Sequence, residues 1–211
     1  MRRLPILLVL CAALIPGAAQ ASAMGSLTSA EYAQLVSARD RLRTANVKTL
    51  AQVKTALHGC EAIEQVSPLI TEVRADCIAQ IEIGGFGPTM QVTVKNCSGF
   101  PSVSKRLSCM LPSYELFATD TADFYNAEVT IRRLASARNL PAECVNLLSD
   151  PPAVVAKEKQ MLDTLESLVA AMKSGALLPF EKDSGELITI AAEVQQGQNA
   201  NSGSLAVCVH Q

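Results

Sequence analysis

Cysteine usage constrains this chain more than any other feature. Six cysteines (Cys60, Cys77, Cys97, Cys109, Cys144 and Cys208) follow an N-terminal leader, and the seventh, Cys11, lies inside it. The leader reads MRRLPILLVLCAALIPGAAQASA. Arg2 and Arg3 supply positive charge, Leu4 to Ile15 is almost wholly apolar, Pro16-Gly17 breaks a helix, and Ala21-Ser22-Ala23 offers a small-x-small cleavage site. That order is the pattern of a secretory signal peptide over residues 1–23. Its apolar run is about a dozen residues, short of the roughly 20 that span a bilayer. Cys11 follows Val9-Leu10 within the apolar run, a poor setting for lipid attachment. The mature chain is therefore expected to be secreted or held in the cell envelope, and an even cysteine count there reads first as disulfides.

Six cysteines admit many pairings, and periodicity narrows them. Leu50, Val53, Leu57 and Cys60 share one helical stripe, and Ile70, Val73, Cys77 and Ile81 share another. The link near Glu64 to Ser67 is short, so these two helices should form an antiparallel hairpin. The hairpin suggests Cys60–Cys77. Nearness in sequence suggests Cys97–Cys109, and Cys144–Cys208 remains to tether the C-terminal tail. His58 stands two residues before Cys60 in "ALHGCEAI". Residues two apart on a helix point about 200° away from each other, so this pair is not expected to share a metal. No CxxC, HExxH or CxxCH occurs, so the cysteines are assigned to architecture, with no metal and no cofactor.

Cleavage after Ala23 leaves 188 of the 211 residues, suited to one domain with a sizeable core. The whole chain carries 18 Lys+Arg and 20 Asp+Glu, and loss of Arg2 and Arg3 takes the net charge from −2 to −4. Arg39, Arg41, Arg43 and Lys48 form a small basic group read as a solvated face, and a mildly acidic balance argues against a nucleic-acid partner. No later stretch is apolar for long enough to span a membrane.

Local signals predict an all-α protein. Thr28-Ser29-Ala30-Glu31 has the capping-box form ahead of a first helix to about Thr44. Asn46 is read as the cap of a second helix running to about Ile63. Ser67-Pro68 starts a third, to about Gln80 or Ile83. "GGFGP" (84–88) is read as a helix break, and "MQVTVKN" (90–96) alternates like a strand, so residues 84–100 are expected to be irregular or β-like. A short helix follows Ser102 and is interrupted by Pro112. A long one then covers Tyr114 to Arg138, and a short one near Pro141 to Leu148 carries Cys144. The widest apolar stripe, with Val154, Met161, Leu165, Leu168 and Met172, marks a central helix ending at Ser174-Gly175. A last helix stops near Gly197. The expected organisation is a disulfide-stapled multi-helix bundle over 24–196, with a flexible connector and tail over 197–211, "LAVCVH" being strand-like.

Chemistry-bearing residues are sparse. His58 and His210 are the only histidines, which disfavours a hydrolytic triad. The acid pairs Asp120/Asp123 and Glu181/Asp183 are explained equally well as helix caps and first-turn charges. Gly84, Gly85 and Gly87 fail the dinucleotide pattern because Met90 stands at the third glycine. Tyr114, Phe117, Phe124 and Tyr125 fall at about 0°, 300°, 280° and 20° on one helix. That stripe is read as core, or as the wall of an apolar ligand site. The expected function is non-enzymatic binding of a protein partner or an apolar small ligand. The alternatives are a structural envelope component or a carboxylate-based hydrolase.

Overall fold

The computed structural model describes residues 24–200 and 203–209. The leader, residues 1–23, and His210 lie outside them. Seven α-helices occur among the described residues: α1 (Ser29–Thr44), α2 (Leu50–Glu61), α3 (Pro68–Cys97), α4 (Val103–Ala137), α5 (Ala142–Leu148), α6 (Pro152–Ser174) and α7 (Leu177–Ala200). A 3-10 turn, Leu205–Cys208, follows. No strand occurs among the described residues, and no helix there is long and apolar enough to cross a membrane.

The helix starts follow their capping chemistry. Thr28 and Glu31 complete the capping box of α1: Thr28 Oγ1 accepts from Glu31 N, and Glu31 Oε2 accepts from Thr28 N. Thr49, rather than Asn46, caps α2 by accepting from Gln52 N. Ser67 caps α3 with Pro68 in its first turn, and Ser102 caps α4. Gly175, at φ 70°, ends α6 in the left-handed conformation that suits a residue without Cβ.

The long antiparallel pair α3–α4 is the frame. At about 1.5 Å per residue, its 30 and 35 residues make rods of about 45 and 52 Å. Helices α1 and α2 pack on α3, while α6 packs on α4 and carries α7. One core gathers Leu35, Ile70, Val73, Ile131, Ala135 and Leu148 around Cys60, Cys77, Cys144 and Cys208. A second gathers Phe117, Met161, Leu165, Leu168, Leu187 and Ile190.

Residues 84–100 correct the expectation of a break and a β-like segment: α3 continues as helix through Gly84, Pro88 and Val94 to Cys97. Packing overrides propensity here. The missing side chains of Gly84 and Gly85 admit α2 and the turn before it. A Cβ at either position would lie 3.1 Å from Val47 Cγ2 or Val53 Cγ1 respectively. Thr93 Oγ1 and Ser113 Oγ meet at 2.9 Å across the α3–α4 pair, and Cys97–Cys109 closes its tip. For the same reason α4 runs through Pro112 without interruption. Helix α7 continues past Gly197 to Ala200, into the segment read as connector, and "LAVC" is a 3-10 turn instead of a strand.

All three expected disulfides form. Cys60–Cys77, Cys97–Cys109 and Cys144–Cys208 have Cα separations of 5.6, 5.8 and 5.0 Å. Cys60, Cys77, Cys144 and Cys208 are at most 1% exposed, whereas Cys109 is half-exposed at the hairpin tip. Graded reduction of the folded protein with alkylation and mass spectrometry should open Cys97–Cys109 first, since exchange requires access to sulfur. Replacing Cys144 and Cys208 together by alanine should lower the unfolding free energy by about 3–5 kcal/mol in urea titrations, because that bond closes the longest loop.

Candidate functional site

The predicted aromatic stripe divides in the fold. Phe117 and Phe124 are buried, and Tyr114 and Tyr125 are half-buried. Phe117 stacks on Phe86 of α3, with ring centroids 3.9 Å apart and planes at 9°. Tyr114 meets Phe86 edge-on at 5.4 Å and Phe180 of α7 at 6.4 Å. Phe124 and Tyr125 lie about two turns further along α4 and do not join this ring cluster among the described residues. Phe86 and Phe180, which the stripe does not include, take their places.

Beside the Phe86–Phe117 stack lies a cavity of about 210 Å³. Val53 and Leu57 of α2 and Leu116 of α4 supply further apolar walls, and Glu82 and Asp120 supply carboxyls. Burial, and then the charge of Asp123, push Asp120 up to about 6. Burial raises Glu82 as well, helped by Asp120, Asp123 and Glu61. Of the two acid pairs singled out in sequence, Asp120 thus faces a cavity while Asp123 is exposed. Asp183 is buried and accepts from Ser167 Oγ at 2.6 Å, and Glu181 points to solvent. His58 is exposed and sits 2.9 Å from Glu61, whereas Cys60 is fully buried in its disulfide. The two do not meet.

A second site was not anticipated from sequence. Asp76 (α3), Glu128 (α4), Asp150 (the α5–α6 link) and Glu158 (α6) are between 0 and 8% exposed. Asp76, Glu128 and Asp150 line a cavity of about 310 Å³ whose outer wall holds Arg39 and Arg43 of α1. Gln80 Nε2 donates to Asp76 Oδ2 at 2.9 Å, and the Asp150 backbone N–H donates to Glu128 Oε2 at 2.5 Å. Arg132 stands among these acids. Its Nη2 donates to Asn146 Oδ1 at 3.1 Å and to the Asp150 carbonyl at 2.5 Å. Asp76 Oδ1, Asp150 Oδ2 and both Glu158 carboxylate oxygens are shut off from solvent and meet no N–H donor; carboxyl pairs with Glu128 and Asp150 hold Asp76 and Glu158 respectively. Burial pushes Asp76 up to about 7, the Gln80 contact opposing and the Asp150 charge reinforcing it. Burial and then Asp150 push Glu158 up to about 9, and burial with the neighbouring acids raises Glu128 well above its usual range. No group of three or more His, Cys, Asp or Glu among the described residues converges with the geometry of a metal site.

Comparison with family models, curated proteins and solved structures finds no match for this chain.

The raised carboxyls and the single lowered one set opposite pH trends. A carboxyl whose pKa rises on folding contributes stability that is complete below the unfolded pKa and lost as pH climbs through the folded value. For Asp76 that window runs from 3.8 to about 7, and for Glu158 from 4.5 to about 9. Glu31, held down to about 2 by Arg138, contributes stability that is lost only as pH falls from 4.5 towards that value. Urea titrations should therefore show stability falling from about pH 5 to about pH 9. Glu158→Gln should flatten the upper half of that curve.

Proposed function

We propose that this chain is an exported, non-enzymatic helical binding protein whose cavity between α2, α3 and α4 takes a small apolar ligand with a hydroxyl head. Three disulfides are compatible with an oxidising extracellular or periplasmic setting. The observation that carries the ligand reading is the cavity beside the Phe86–Phe117 stack. Its volume of about 210 Å³ exceeds the roughly 150 Å³ in which an apolar cavity holds a benzene ring. Phe86, Phe117, Val53 and Leu57 would cover the apolar body, and Asp120 or Glu82 would accept from the hydroxyl. Tyr114 supports the site through its edge contact on Phe86. Phe124 and Tyr125 shape the α4 face beyond it.

A protein partner is the second reading, and the α3–α4 tip favours it. Val92, Val94, Phe100 and Val103 are each between 43 and 49% exposed there, close to Cys97–Cys109.

The ligand reading is tested with 4-ethylphenol by calorimetry on the oxidised protein. Saturable binding is expected, weakened about tenfold or more, that is by about 1.4 kcal/mol, in Leu116→Glu. Leu116 lines the cavity and is 56% exposed, so this variant leaves the core intact. Phe117→Ala should weaken binding too, with folding checked by circular dichroism. Absence of binding to the unaltered protein, or equal affinity in Leu116→Glu, would refute the reading.

A further inference from the structure

Residues 87–113, the outer turns of the α3–α4 pair, give nothing to either apolar core. Other helices grip the pair below them. Val53 of α2 lies against α3 at Gly85, and Lys173 and Phe180 meet α4 at Glu115 and Tyr114. The finger beyond is braced from within: Cys97–Cys109 ties its two helices, and Thr93 meets Ser113 between them.

Its charge sets it apart from the body. All 20 acidic residues of the chain lie outside 83–114, a stretch bracketed by Glu82 and Glu115 that carries Lys95, Lys105 and Arg106. The three cations are exposed, and none forms an ion pair among the described residues. Val92, Val94, Phe100 and Val103 are exposed beside them. Exposed apolar side chains gathered in one place mark an interaction surface, and their arrangement selects the occupant. Thr93 faces α4, so Val92 and Val94, about 100° to either side of it on the helix, emerge on opposite flanks of the finger. Phe100 occupies the turn. A protein groove would cover one flank, whereas a fluid layer entered tip-first covers both flanks and the turn together. From Val92 to Cys97 the helix advances about 8 Å, within the roughly 5–10 Å to which interfacial elements enter a bilayer. Lys95 falls in that span, and Lys105 and Arg106 stand about 3–5 Å into α4 from Val103. At that depth long cationic side chains reach lipid phosphates while their stems stay on apolar surface.

We propose that the α3–α4 tip docks the protein on the surface of an anionic phospholipid bilayer, with Phe100 and the three valines entering the headgroup boundary and Lys95, Lys105 and Arg106 holding phosphates. The contact is peripheral, since no helix among the described residues is long and apolar enough to cross a membrane. It is independent of the ligand reading, which concerns the cavity beside the Phe86–Phe117 stack.

Vesicle flotation of the oxidised mature chain tests this, with equimolar phosphatidylglycerol and phosphatidylcholine against phosphatidylcholine alone. The chain should bind the anionic vesicles at least tenfold more tightly, and about 0.5 M NaCl should release it. Lys105→Glu combined with Arg106→Glu should lower that affinity at least tenfold with the circular dichroism unchanged. The chain has no tryptophan, so Phe100→Trp reports the tip alone. Its emission should shift to the blue on anionic vesicles, whereas that of Ile188→Trp, at a 73% exposed position on α7, should not. Absence of flotation, the outcome for a tip that takes a protein partner instead, would overturn the proposal. So would full affinity in the Lys105→Glu, Arg106→Glu variant. Flotation without a shift at Phe100→Trp, or with an equal shift at Ile188→Trp, would overturn the tip as the docking surface.

Discussion

The α3–α4 antiparallel pair is the constraint on which the rest of the structure depends. Two rods of 30 and 35 residues bury little by themselves, and each carries a proline in its interior. A mid-helix proline removes a backbone hydrogen bond and costs about 3 kcal/mol. The pair persists because it is gripped along its length. Cys97–Cys109 joins the two helices at the tip, Thr93 meets Ser113 next to it, and the Phe86–Phe117 stack bridges them further down. At the opposite end, Cys60–Cys77 fixes α2 on α3, and Arg138 just past α4 holds Glu31 of α1 through two short contacts of 2.5 and 2.9 Å. Covalent and ionic restraints thus hold the pair at both ends, and Cys60–Cys77 does so from inside an apolar core.

The same frame explains which features were legible in sequence. The disulfide pairing followed from helical stripes and a short link, because a cysteine on an apolar stripe must face the neighbouring helix. Caps at Thr28, Ser67 and Gly175 were readable because their chemistry is local. Residues 84–97 were not. Their glycines, proline and β-branched residues speak against helix one residue at a time. What decides the matter is Val47, Val53 and the facing face of α4, all distant in the chain. The aromatic stripe was half-legible: Phe117 does border a cavity, but Phe86 lay inside the segment read as irregular.

The carboxylate cluster left a sequence signal of a different kind. Asp76 follows Val73 by three residues. Glu128 sits four after Phe124 and three before Ile131, and Glu158 sits four after Val154 and three before Met161. Each acid interrupts an apolar stripe at a position that the 3.6-residue period assigns to the interior. An acid on a stripe can face solvent at a helix end. Only the assembled bundle shows that these three meet, and that Asp150 joins them from a link with no periodicity at all.

Packing alone gives no reason for those acids. Leucine or methionine at 76, 128 and 158 would continue the stripes and join the two apolar cores, Val73 and Ile131 on one side with Phe117 and Met161 on the other. Buried charge is commonly replaceable by apolar side chains with no loss of stability, and often with a gain. Buried polar groups that a fold does keep are held by partners. Here Asp76 pairs with Glu128 and Glu158 with Asp150, carboxyl to carboxyl, while the Arg132 Nε stays unsatisfied. The seam therefore holds its acids largely as shared protons, and its stability depends on their staying so as pH rises.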